Sequence, residues 1–185
     1  MLPTLHLRLL GGWNLRCGQE PVTSVVQPRA QSLLAYLVLR RDARHSRQHL
    51  AFEFWPDAPE AQARNNLRQT VHYVRSALPH ADHFLHVDAS TLQWRAQVPL
   101  SLDVSEFAHA VATGDAAEGM DDRTLVLSAS EQAVALYRGD LLPSCYDDWI
   151  EAEREQLRQQ YQRVLQRLSH ILEEQGNYDA AIDYA

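Results

Sequence analysis

Between Ser46 and Leu78 the chain carries two helix-period patterns with Trp55-Pro56-Asp57-Ala58-Pro59 between them. Two prolines in five residues interrupt the helical ladder, so the segment reads as a pair of helices meeting at a tight turn. At about 100° per residue, Ala63, Val71, Val74 and Leu78 fall within about 40° of Leu67, the usual width of a core-facing stripe. The opposite face holds Asn65, Gln69, His72 and Ser76, with Arg68 on its flank and Arg64 and Arg75 nearer the core boundary. A helix-turn-helix of this layout sets its second helix in a DNA major groove. Asn and Gln pair bidentately with adenine and Arg with guanine, so this face has the side chains for reading base edges. Any solvated helix face is also polar, and the surrounding sequence has to decide between the two readings.

Charge divides along the chain. Residues 1–98 hold eleven Arg against seven acids, and residues 99–185 hold six Arg against seventeen, which gives the net −7. A basic half joined to an acidic half fits a DNA-facing module attached to a different one, even though the overall pI is about 5.7. Lys is absent. Every basic side chain is therefore an Arg, whose planar fork can grip phosphate bidentately. At 185 residues and 45% hydrophobic composition the chain can bury a sizeable core, and the break near residue 98 predicts domains at 1–98 and 99–185. Cys17 and Cys145 stand far apart, as expected of unpaired thiols in a reducing cytoplasm. Neither a signal-peptide core nor a membrane-length apolar run is present, so no membrane partner is expected.

Thr4 to Leu10 and Trp13 to Arg16 alternate on either side of Gly11-Gly12 and predict strands, with a third around Val22 to Val26. Pro28 opens a helix that buries Ala30, Leu33, Leu34, Leu37 and Val38. Ser46 caps the next helix, which is expected to bury Leu50, Phe52 and Phe54. Phe84 to Val87 and Thr91 to Arg95 flank Asp88-Ala89-Ser90 and predict a hairpin, the wing of a winged helix. In the acidic half, helices are expected at Val104 to Val111 and Thr124 to Tyr137, with a loop from Thr113 to Asp122 between them. Asp148 and Glu151 resemble a capping box that opens a long helix through Leu172, ended by Gly176.

Several of these stretches together resemble a known family: LRLLGGW (Leu7 to Trp13), PRAQSLLAYLVL (Pro28 to Leu39), FWPD (Phe54 to Asp57), ARNNLRQTVHYVRSAL (Ala63 to Leu78), LDVSEF (Leu102 to Phe107) and YRGDLLPSCYDDWIEAEREQL (Tyr137 to Leu157). In this order they resemble bacterial transcriptional activators of the antibiotic-regulatory-protein, or SARP-like, type. The resemblance implies a mainly α chain: an OmpR-type α+β winged helix-turn-helix domain, then an all-α, tetratricopeptide-like bacterial transcriptional activator domain. It also implies binding to double-stranded promoter DNA at direct repeats, beside a second copy of the chain, with RNA polymerase as a further partner. In the wing, relatives commonly carry a Gly-Tyr pair where this chain has Leu92-Gln93-Trp94, so no minor-groove contact is carried over. Arg163 to Ala185 is similar to a tetratricopeptide helix pair that stops about two turns into its second helix. Such repeats bury their faces by stacking on neighbours, so the chain reads as the N-terminal part of a longer protein, with Ile182 and Tyr184 short of partners.

His80, His83 and His86 at spacing three, and His45 and His49 at spacing four, raise the question of a metal. The first series runs from a loop into a strand, where spacing three does not hold one face, and neither Cys nor paired carboxylates accompany it. The acidic run Asp147 to Glu155 begins at a helix start, where the dipole favours carboxylates. No phosphate-cradle glycine pattern, nucleophile elbow or Cys-His pair is found. The chain is therefore expected to be a regulator that needs neither cofactor nor metal, rather than an enzyme. Base-edge candidates are Asn65, Arg68, Gln69 and His72. Phosphate candidates are Arg29, Arg44, Arg47, Arg64, Arg75 and Arg95, with Arg64 and Arg75 the ones most exposed to capture by nearby acids such as Asp57 or Glu60. The competing reading is a helical-repeat protein scaffold whose winged helix does not bind DNA.

Overall fold

The computed structural model describes residues 3–184, apart from the side chains of Ala180 and Asp183. Three short strands open the chain, β1 (Leu5–Arg8), β2 (Asn14–Cys17) and β3 (Glu20–Pro21). Next come α1 (Pro28–Leu39), β4 (His45–Ser46), α2 (Arg47–Phe54), α3 (Glu60–Ala77), α4 (Ala81–Phe84), β5 (Leu85–Val87) and β6 (Thr91–Trp94). Strand β7 (Leu100–Leu102) leads into α5 (Asp103–Gly119), α6 (Arg123–Leu136), α7 (Glu151–Glu174) and α8 (Tyr178–Tyr184). One sheet has the order β3-β2-β1-β7 and the other β4-β6-β5. Two compact units result, each discontinuous in sequence.

The first unit comprises residues 1–7, 14–100 and 144–149. Pro28 stands in the first turn of α1, and the helix buries Ala30, Leu33, Leu34, Leu37 and Val38 as its periodicity predicts. Helix α1 packs on α3, and α2 on α3. The α3 stripe of Ala63, Leu67, Val71 and Val74 is buried. Ser46 Oγ accepts from the His49 amide at 3.3 Å and caps α2. Phe52 is not a core residue: Leu50, Ala51 and Phe54 fill the inner side of α2, and Phe52 points away with 69% of its surface exposed. The third strand is two residues long and precedes Val22: Pro21 and Glu20 pair with Arg16 and Cys17, and the Val22 amide adds one bond to Leu15 O at 2.8 Å. In the wing, β5 pairs with β6 through Leu85–Trp94, His86–Gln93 and Val87–Leu92. The Leu92 and Trp94 of the atypical wing face inward, and Trp94 stacks on Phe84 with ring centroids 5.7 Å apart.

The second unit comprises residues 8–13, 101–143 and 150–185. Its helices pack in sequence, α5 on α6, α6 on α7 and α7 on α8. Helix α5 runs eight residues past the expected end at Val111 and absorbs the predicted loop up to Gly119, leaving Met120 to Asp122 as the turn before α6. Gly114 is the reason: a Cβ there would lie 2.8 Å from Arg167 Nη1 and 3.7 Å from Ala129 Cβ, so this glycine serves close helix packing and not a turn. Asp103 is buried and accepts from the amides of Leu9 (2.9 Å), Leu10 (2.8 Å) and Val104 (2.8 Å). Burial pushes its carboxyl above the ordinary value, and the amide donors oppose that. Arg154, only 6% exposed, donates to the carbonyls of Leu141 (2.8 Å) and Leu142 (2.5 Å). The expected capping box is absent, since Asp148 lies in a short 3-10 turn and α7 begins at Glu151 without a side-chain cap. Ile182 is 73% exposed, whereas Tyr184 packs against Leu168, Leu172 and Ala181. Among the described residues no helix is long and apolar enough to cross a membrane.

Candidate nucleic-acid interface

Burial of one stripe of α3 forces its other face outward. Arg68, Gln69 and His72 are exposed there and Asn65 is half-buried. Most polar side chains on this helix are tied to neighbours three or four residues away, which is the reach of adjacent helical turns. Arg64 Nη2 meets Glu60 Oε1 at 2.5 Å, Gln62 donates to Asn66 at 2.8 Å, and Arg68 Nη2 donates to Asn65 Oδ1 at 2.7 Å. Gln69 and His72 have no side-chain partner among the described residues, which leaves their polar atoms free for a ligand.

A groove of about 380 Å³ runs between the start of α2, the first turns of α3 and the wing turn. Arg47, Arg64 and Arg68 converge on it, with Ser46, Gln48 and Ser90. Its wing side is held by Asp88, whose carboxylate accepts from the Ser90 amide (2.7 Å), the Thr91 amide (2.6 Å) and the Thr91 hydroxyl (2.7 Å). These donors, the Thr91 hydroxyl foremost, hold the Asp88 carboxyl well below the usual carboxylate range. Arg47 closes the corner, its amide donating to Ser90 O at 2.8 Å and its Nη1 to Asp88 O at 3.2 Å. Arg44 stands just before β4 and donates from Nε to Gln93 Oε1 at 3.1 Å, on the exposed side of the wing.

The remaining phosphate candidates lie elsewhere on this unit. Arg75 is bound to Asp82 through Nε (3.1 Å) and Nη2 (2.8 Å). Arg95 is exposed, and its amide closes the end of the hairpin on Phe84 O at 2.8 Å. Arg29 is ion-paired with Asp147 and lies over the Trp55 ring, 5.6 Å from its centroid. The His80 and His83 rings stand 6.1 Å apart, and His86 pairs with Asp88 at 3.6 Å. No cluster of three or more metal-ligating side chains occurs among the described residues.

Residues 102–185 match the sequence profile of the bacterial transcriptional activator domain. The match covers most of the acidic half of the chain. The fold of the whole chain is similar to that of Mycobacterium tuberculosis EmbR, solved in complex with a low affinity phosphopeptide. The TM-score is 0.82 at 19% identity, over 98% of this chain and 48% of the other. The chain thus spans about half the length of that solved protein, and at this identity the likeness concerns the fold. No curated protein matches it. The SARP-like resemblance of the motifs therefore holds, as a family match over the activator domain and as a shared mainly helical fold, winged helix followed by helical domain, over the whole.

Two features of the first unit were not read from the sequence as the structure has them. Gln48 and Glu60 meet at 3.4 Å on the rim of the groove, a contact between two helices that no periodicity reveals. The second feature is Asp147, which lies inside the activator-domain match but folds into the first unit with residues 144–149. It accepts from Arg29 and from the buried Ser32 hydroxyl (2.5 Å) instead of standing at a helix start.

Proposed function

We propose that this chain is a sequence-specific DNA-binding transcription regulator, an activator that sets α3 in the major groove of promoter DNA. The observation that carries this reading is the convergence of Arg47, Arg64 and Arg68 on one groove between the start of α2, the outer face of α3 and the wing turn. Guanidinium groups and helix N-termini are the usual partners of backbone phosphate. In this reading Arg68, Gln69 and His72, with Asn65, face the base edges, while Arg44, Arg47 and Arg64 grip phosphates and Arg75 and Arg95 extend the track. Arg29 joins only by giving up Asp147. A second copy on a direct repeat and RNA polymerase are the further partners in this reading, and the cytoplasm is the compartment.

Band shifts of promoter DNA across a salt series test this. If about five arginines neutralise phosphates, log K falls against log salt with a slope of about −4 to −5. Binding indifferent to salt, or no binding at near-physiological salt, overturns the reading in favour of a protein-interaction scaffold.

A further inference from the structure

The readers on α3 are not equivalent. Arg68 lines the arginine groove and is exposed, whereas Asn65 is half-buried and lies outside the groove lining. Side chains on a helix lean toward its N-terminus, so Arg68 leans back over the turn that carries Asn65. The two meet at 2.7 Å. A guanidinium can only donate, so the Asn65 atom that faces it is the amide oxygen. Reading adenine requires an asparagine to offer its oxygen and its nitrogen together to the N6 and N7 edge. In Asn65 the oxygen already accepts from Arg68, so one of its two lone pairs and the direction of the amide are taken before a base arrives.

We propose that Asn65 is a positioning residue: it reads no base itself but fixes the Arg68 guanidinium, and Arg68 reads a guanine. One Nη2 hydrogen goes to Asn65, and the outer edge of the fork keeps the two donors that match guanine O6 and N7. Holding a long side chain at one end removes rotamer freedom before DNA arrives, and the contact becomes more selective. This inference rests on the DNA-reading function proposed above and adds to it the identity of one base and the division of labour between two residues.

The test is selection of sites from randomised duplex DNA by the full chain and by Asn65→Ala, Arg68→Ala, the double variant and Asn65→Asp, each checked for an unchanged melting profile. Wild type is expected to select a guanine at one position, and Arg68→Ala to lose that preference by on the order of tenfold. Asn65→Ala should relax the same position and no other, the double variant should be no worse than Arg68→Ala alone, and Asn65→Asp, which keeps an acceptor oxygen, should restore the guanine. The inference is overturned if Asn65→Ala relaxes an adenine position that Arg68→Ala leaves intact, or if the two losses add in full. Failure of wild type to select any sequence would instead overturn the DNA-reading function itself.

Discussion

The outer face of α3 and the segment Ser144–Trp149 both bring arginines to acids or amides, with opposite consequences. On α3 the partners are three or four residues apart and exposed: the Arg64 and Glu60 side chains keep 57% and 65% of their surface. At Ser144–Trp149 the partners are more than a hundred residues apart. Asp147 accepts from Arg29 and Ser32, and Trp149 donates to Ser32 Oγ at 3.2 Å while standing edge-on to Tyr36 at 5.2 Å. An exposed pair within one helix is worth at most about 1 kcal/mol and can exchange its acid for a phosphate. A buried network between distant segments cannot exchange partners without leaving polar groups unsatisfied. One arrangement keeps arginines available and the other builds tertiary structure.

Replacement of Trp149 should break the second arrangement with the largest effect. Trp149→Ala removes a side chain 7% exposed and packed against Tyr36 and Phe54, at an expected cost of about 3–5 kcal/mol in urea unfolding. A cost below about 1 kcal/mol, the level of surface contacts, would mean that the segment is not part of the core.

Asp147→Ala is expected to cost less, about 1–3 kcal/mol, because it strands the Ser32 hydroxyl and frees a guanidinium that water can reach. Arg29 keeps 41% of its side chain exposed, so Arg29→Ala should cost less again. A double-mutant cycle between Arg29 and Asp147 measures the coupling, and additive losses would show that the pair contributes nothing beyond its separate contacts.

How much of this was legible in the sequence follows the same division. The α3 stripe, the Pro28 helix start, the Ser46 cap and the hairpin around Asp88 are local patterns, and each stands where periodicity and turn chemistry put it. The capture of Arg64 by Glu60 was also legible, being one helical turn. What failed depended on contacts distant in sequence. Gly114 reads as a loop residue until Arg167 is beside it, and Asp147 reads as a helix-start acid until Arg29 and Ser32 are. Phe52 was misplaced for a different reason, since an eight-residue helix with apolar residues on both sides does not reveal which one faces inward.

His45 extends the comparison to pH. Its ring is 7% exposed, lies edge-on to Tyr36 and meets Arg40 O at 3.1 Å. Burial lowers its pKa from the ordinary 6.5, a shift to which the charges of Arg40 and His49 contribute and which the Arg40 carbonyl opposes. The folded protein thus binds fewer protons here than the unfolded chain. The stabilisation is complete above the unfolded value and is lost as pH falls from there through the folded one. Wild type should therefore lose unfolding midpoint as pH drops from about 7.5 to about 5.5, and His45→Gln should lose less. An identical pH profile for the two would mean that His45 is not the group responsible.

Arg64 and Arg75 should have the smallest effect on stability and the most diagnostic effect on binding. Both are paired with exposed acids, Glu60 and Asp82, and ion pairs of this kind contribute within about 0.5 kcal/mol to folding. Arg64→Ala should leave the unfolding midpoint nearly unchanged while weakening cognate and random DNA alike and making the salt slope shallower by about 0.9, the loss of one phosphate contact. Arg75→Ala separates two possibilities for a pair outside the groove. The same change in slope would place Arg75 on the phosphate track, with Asp82 released when DNA binds. An unchanged slope would leave Arg75 as a brace between α3 and α4, and the phosphate track would end at the groove.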